Sequence, residues 1–184
     1  MLSLRDYQQK GIDTIRDALR LNNSVIYVLP TGAGKTAVAT VIAGMVAAKN
    51  KRCLFLVHRR ELMKQTQDAF TLSNIHYGTI QAGRPADPLA KVHIGSIQTV
   101  VRRLERLQRP DLLIVDECHH ARAKSWARVI EWAGCKTVGL TATPCRLDGK
   151  GLRGHFDEIV MGPKMTELIK DGWLADYRIY APSV

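Results

Sequence analysis

The chain has 184 residues, 46% of them apolar, enough for one globular domain with a full core; no apolar run approaches the about 20 residues that span a bilayer. A formal charge of +10 favours a polyanionic partner, DNA or RNA, and four scattered cysteines (Cys53, Cys118, Cys135, Cys145) lack the spacing of a disulfide framework or a zinc site. Met1-Leu2-Ser3-Leu4-Arg5-Asp6 has no charged-then-apolar leader pattern, so a cytoplasmic protein is expected.

Leu4, Tyr7, Gly11, Ile15, Ala18 and Leu19 recur at helical spacing and predict a helix over about 4–21, opened by an imperfect capping box from Ser3 to Asp6. Val25–Leu29 reads as a buried strand. Pro30-Thr31-Gly32-Ala33-Gly34-Lys35-Thr36 follows, and then an apolar helix to about Lys49. Strand, glycine loop, Gly-Lys-Thr and helix together make the setting of a phosphate-binding loop. Two glycines let consecutive N–H groups face one oxygen-rich guest, and the new helix adds its positive end. Lys35 can reach the β- and γ-phosphates, and the Thr36 hydroxyl can ligate Mg²⁺. The general pattern has a glycine six residues before the lysine; Leu29 stands there instead.

Arg52–Val57 reads as a second buried strand and Arg59 to about Thr71 as a helix, with Leu62, Thr66, Ala69 and Phe70 on one side. A weak strand near His76–Ile80 precedes a loop holding Gly83, Pro85 and Pro88. Val92–Ile97 is predicted to be a strand and Gln98–Gln108 a helix. On that helix Arg102, Arg106 and Arg109 would fall opposite Val100, Leu104 and Leu107, as a solvated face or as a phosphate-binding stripe. Leu112–Val115 is a continuous apolar strand ending in Asp116-Glu117-Cys118-His119. A carboxylate there can hold Mg²⁺ and its neighbour can orient an attacking water; the plain alternative is an acidic helix start. Ser125–Ala133 is predicted helical and Thr137–Leu140 extended. A glycine-rich loop, a short strand at Glu158–Met161, a helix at Met165–Lys170 and an extended Asp176–Tyr180 complete the chain. Gly149–Gly154 fits the dinucleotide pattern G-x-G-x-x-G, but it neither directly follows a strand nor opens a clear helix, and it reads as a loop near the site. Apolar strands alternating with amphipathic helices predict an α/β fold, a mainly parallel sheet with helices on both faces. Ligands bind such sheets beyond the carboxyl ends of the strands, where both the phosphate loop and the acidic pair fall.

These stretches, in this order, resemble the first RecA-like P-loop NTPase motor domain of a superfamily 2 DEAD/DEAH-type helicase of DECH subtype, over essentially the whole chain. Leu4–Gln8, Pro30–Thr36, His58–Leu62, Gly95–Thr99, Asp116–His119 and Thr141-Ala142-Thr143-Pro144 carry the resemblance. Arg146–Leu152 is similar to phage-type helicases and restriction-enzyme motor subunits. The resemblance implies ATP and Mg²⁺ as cofactors. Gln8 would read adenine, and Thr31, Gly32, Ala33, Gly34, Lys35 and Thr36 would hold the phosphates. Thr36 and Asp116 would hold the metal, with Glu117 as catalytic base. Arg59 or Arg60 (the sequence leaves open which), Gln98 and Thr99 would contact a nucleic-acid backbone, DNA favoured over RNA. His119, Thr141 and Thr143 would couple the two sites. Residues 1–175 would be the motor domain and 176–184 the start of a linker. Nothing like Gln-x-x-Gly-Arg-x-x-Arg occurs in the chain, so a second RecA-like domain in cis is expected to complete the site, and this chain alone should hydrolyse ATP slowly. A non-catalytic binding module, a restriction-type DNA translocase subunit and an unrelated P-loop kinase stay open as alternatives.

Overall fold

The computed structural model describes residues 3–58, 60–83, 85–120, 124–143 and 156–176, without the side chains of 60, 61 and 120. Along the chain run α1 (Asp6–Leu21), β1 (Ser24–Val28), α2 (Lys35–Ala48), β2 (Cys53–Val57), α3 (Arg60–Leu72), β3 (Tyr77–Ile80), β4 (Val92–Ser96) and α4 (Ile97–Val100). Then come β5 (Leu112–Val115), α5 (Lys124–Ala133), β6 (Lys136–Thr141), β7 (Glu158–Met161) and α6 (Met165–Lys170), with single 3₁₀ turns at Leu104–Arg106 and Cys118–His120. The strands form one sheet in the order β3-β4-β2-β5-β6-β1-β7, parallel at every pairing.

The strands are apolar without interruption because both faces of the sheet are covered. Alternate residues point to opposite faces. Val25, Tyr27, Phe55, Val57 and Ile114 pack in one cluster with Ile12 and Ile15 of α1, Val38 and Ile42 of α2, and Phe70 of α3. Ile26, Val28, Leu54, Leu56 and Val115 pack in the other with Trp126 and Val129 of α5. The first crossover leaves β1 and returns at β2, skipping the positions that β6 and β5 later fill. The loops after β1, β6 and β5 therefore lie side by side at the carboxyl edge of the sheet, where a parallel α/β fold binds its ligand.

Two local expectations are corrected. The first helix begins at Asp6, and its opening pair is Arg5 with Gln8: Arg5 N–H donates to Gln8 Oε1 at 3.0 Å. The predicted helix over 98–108 is a single turn, α4, followed by a bend and a 3₁₀ turn. Thr99, Val100 and Val101 are β-branched in succession and stiff in a helix, while Val100 and Leu104 are drawn into the core. The arginine stripe dissolves with the helix. Arg102 is exposed just past α4, whereas Arg106 and Arg109 lie toward Arg52 at the amino end of β2, away from the ligand edge. Among the described residues no helix is long and apolar enough to cross a membrane. Arg59, the Arg60 side chain, Pro144 to His155 with the G-x-G-x-x-G stretch, and the linker at 177–184 lie outside the described residues.

Candidate active site

The loop after β1 is shaped by its glycines. Gly32 and Gly34 hold φ of +81° and +88°, a region where a side chain costs about 1–2 kcal/mol. Gly34 is also the N-cap of α2, whose first turn carries Lys35 and Thr36 and no acidic residue, so the helix's positive end is left for an outside anion. Ala33 is fully buried and Thr31 is exposed. The Ala33 carbonyl turns toward α1, where it accepts from Tyr7 Oη at 2.8 Å and Gln8 Nε2 at 3.0 Å. Gln8, 4% exposed, thus ties the start of α1 to the crest of the loop with both ends of its amide. The Lys35 ammonium rests 3.4 Å from the Leu29 carbonyl, a long contact that a phosphate can displace. A methyl on Gly34 would collide with Gln8 Nε2 in addition to its strained φ. Gly34→Ala is therefore expected to weaken nucleotide binding by at least about tenfold while the sheet still folds, as read by calorimetric titration and circular dichroism.

At the end of β5 the backbone N–H of Asp116 still pairs with Leu56. Its side chain is 8% exposed, and burial, then the neighbouring Glu117 charge, push its pKa up to about 6 against the opposing pull of Lys35. Lys35 and Asp116, 81 positions apart in the sequence, thus lie within electrostatic reach. The Asp116 carboxylate and the Thr36 hydroxyl supply hard oxygen donors of the kind Mg²⁺ takes. Glu117 sits at φ +49°, a strained value for a residue with a side chain. Its N–H donates to Asp116 Oδ1 at 3.1 Å, which fixes that turn. Cys118 is buried and fits because Gly139 of β6 lies beneath it; a Cβ there would come within 2.8 Å of Cys118 Sγ and 2.9 Å of Phe156. Burial holds its thiol well above the ordinary range, which leaves it a packing residue.

The histidine joins the strand ends. His119 Nδ1 lies 3.3 Å from Glu117 Oε2 and 3.3 Å from Thr141 Oγ1. Thr141, fully buried, donates to the Thr143 carbonyl at 3.0 Å and accepts from the Thr143 N–H at 3.1 Å. His119, Thr141 and Thr143 are therefore one hydrogen-bonded chain that starts at Glu117. The backbone-contact candidates gather on the neighbouring strands. Gln98 Nε2 donates to the His58 carbonyl at 3.3 Å, so the segments after β4 and β2 are tied together. Ser96 Oγ donates to Thr99 Oγ1 at 2.9 Å, so Thr99 is held by the N-cap residue of α4.

Sequence reasoning singled out Gln8 from its motif and passed over Tyr7, which reaches the same loop, and Arg5 and Trp173, which contact Tyr7. Tyr7 stands inside the Leu4–Gln8 stretch and could have been found there; Trp173 gives no sequence signal.

Comparison with known proteins shows the family and the fold. The family described as the type III restriction enzyme, res subunit, matches residues 1–146. A 51.5 kDa protein of Lactococcus phage (isolate 7-9) is 33% identical over 157 residues, 84% of this chain and 32% of that protein. The putative mitochondrial ATP-dependent helicase irc3 of Schizosaccharomyces pombe is 33% identical over 198 residues, 97% of this chain and 32% of that protein. This chain spans about a third of the length of these curated relatives. Among solved structures, a nuclease-deletion mutant of the Type ISP restriction-modification enzyme LlaGI in complex with a DNA substrate mimic superposes with a TM-score of 0.76 at 17% identity. That match covers 94% of this chain and 21% of that one.

Proposed function

Because the chain belongs to the type III restriction enzyme res subunit family and is the first motor domain of a superfamily 2 helicase, we propose that it binds Mg·ATP at the loop after β1 and hydrolyses it in response to bound nucleic acid, DNA in preference to RNA. The observation that carries this reading is the convergence of Lys35, Asp116–Glu117 and the His119–Thr141–Thr143 chain at three adjacent strand ends. Lys35 and the N–H groups of the loop hold the β- and γ-phosphates, and Thr36 and Asp116 hold the metal. Mg²⁺, when bound, offsets the charge that develops on the phosphoryl oxygens. Glu117 orients water in line with the γ-phosphate and takes its proton. Gln8 retains a second amide N–H and a second lone pair for the adenine edge. A second domain in cis supplies the positive charge that closes on the γ-phosphate.

The experiment is phosphate release from Mg·ATP with no nucleic acid, with duplex DNA and with RNA of equal length. Stimulation by DNA above RNA supports the reading. Hydrolysis indifferent to every nucleic acid, or transfer of phosphate to a small acceptor, contradicts it. Triplex displacement without unwinding of a forked duplex would make the motor a translocase, and unwinding of the fork would make it a helicase.

A further inference from the structure

We propose that Trp173 is a positioning residue for the phosphate loop, acting through Arg5 and Tyr7 on the Ala33 carbonyl; this rests on the nucleotide site argued above. The Ala33–Gly34 peptide is planar and trans, so its C=O and N–H point in opposite directions. The two bonds that draw the Ala33 carbonyl toward α1 therefore aim the Gly34 N–H at the other side, into the phosphate cradle. One of those donors, Tyr7 Oη, accepts from Arg5 Nη1 at 3.0 Å, and a hydroxyl that accepts from a guanidinium is a stronger donor. Arg5 lies over the Trp173 ring at 4.9 Å from its centre and donates to the Trp173 carbonyl at 3.3 Å. Tyr7 meets the same ring edge-on at 6.3 Å.

Trp173 is itself anchored. Its N–H donates to the Leu168 carbonyl at 2.8 Å, past Gly172 at φ +75°, so the end of α6 fixes the ring. Leu174 also donates to Leu168, and its Cδ2 lies 3.3 Å from the place a Cβ on Gly32 would take. Two consecutive residues thus bear on both glycine turns of the loop. Trp173 is 44% exposed, so burial alone does not account for a side chain of that size at that point. The chain leaving α6 is in this way coupled to the phosphates: drawing Trp173 away loosens Arg5, then the Tyr7 hydroxyl, one of the two donors that aim the Ala33 carbonyl, while Gln8 keeps the other.

The test is calorimetric titration of the protein with Mg·ADP and with inorganic tripolyphosphate, which has no base. Trp173→Ala is expected to weaken both by about fivefold, the scale of one cation–π contact and its dependants. Trp173→Phe, which keeps a ring under Arg5, should stay within about twofold. Once Tyr7→Phe has removed the hydroxyl, Trp173→Ala should cost less than about twofold more. Arg5→Met breaks the same relay from its middle and serves if the Trp173 variant folds poorly; it too should weaken both ligands. Unchanged tripolyphosphate binding with weakened Mg·ADP makes Trp173 a base-contacting group and overturns the proposal, as does full additivity with Tyr7→Phe. Wild-type binding with no loss in either variant overturns the proposal alone. A wild-type chain that binds neither ligand overturns the nucleotide site and the proposal with it.

Discussion

Glu117→Gln leaves Mg·ATP bound and lowers its hydrolysis by about 10²–10⁴-fold, the contribution of a positioned general base. Gln keeps the size of the side chain and its contact toward His119 but cannot take the proton from water. The backbone argues that Glu117 is held for chemistry rather than for stability. Its φ of +49° costs free energy, offset by the Asp116 carboxylate that accepts its N–H and by the approach of His119. At a strand end beside a phosphate loop, the Glu117 side chain is 31% exposed while Asp116 stays inward at 8% exposure. Lys35→Ala separates the roles, because it should abolish binding as well as turnover. Phosphate release in single turnover, with binding measured beside it, reads both. Full turnover in the Glu117→Gln protein would remove Glu117 from the reaction.

Asp116→Asn should stabilise the metal-free protein and destroy its response to Mg²⁺. The folded carboxyl titrates near 6, because burial and Glu117 disfavour its charge, whereas in an unfolded chain it titrates near the ordinary value of about 4. Between those values the folded state holds more protons than the unfolded one. Stability therefore falls as pH rises from about 4 to about 6, and the full penalty of about 3 kcal/mol persists above that. Asn keeps an oxygen for the Glu117 N–H and carries no charge to bury. At pH 7.5 without metal its melting temperature should exceed wild type by about 6–12 °C, and the decline with pH over that window should flatten. Saturating Mg²⁺ with nucleotide should raise the wild-type protein and leave the variant nearly unchanged, since only a ligand bound to the folded state shifts unfolding. Equal melting temperatures and equal pH slopes would mean that the charge of Asp116 is not a buried burden.

Glu117→Gln and Asp116→Asn act on residues visible in the sequence, because a strand end followed by Gly-Lys-Thr or Asp-Glu has few other uses. The strands themselves were legible for a related reason. A parallel sheet covered on both faces needs continuous apolar runs, and Val25–Leu29 and Leu112–Val115 are such runs. What failed was the region where propensity and packing disagree. Val100, Leu104 and Leu107 have helical spacing, yet three β-branched residues and the pull of Leu104 into the core break the helix after one turn. Two of the arginines that spacing aligned, Arg106 and Arg109, are carried to the other end of β2. Gln8 was found, but its partner was not: a residue 25 positions away, Ala33, meets it only once α1 has packed beside β1. Trp173 lay beyond sequence reasoning altogether. Its contacts with Arg5 and Tyr7 cross nearly the whole chain, and no pattern near 173 announces them.

The most direct measurement is steady-state phosphate release by wild type and Lys35→Ala, with Mg·ATP, with and without duplex DNA. The wild-type rate should rise with DNA and vanish on chelation of Mg²⁺, and the Lys35→Ala rate should stay at background in every condition. Hydrolysis that persists in Lys35→Ala, or a wild-type rate that DNA and Mg²⁺ leave unmoved, would contradict a nucleic-acid-dependent ATPase built on the loop after β1.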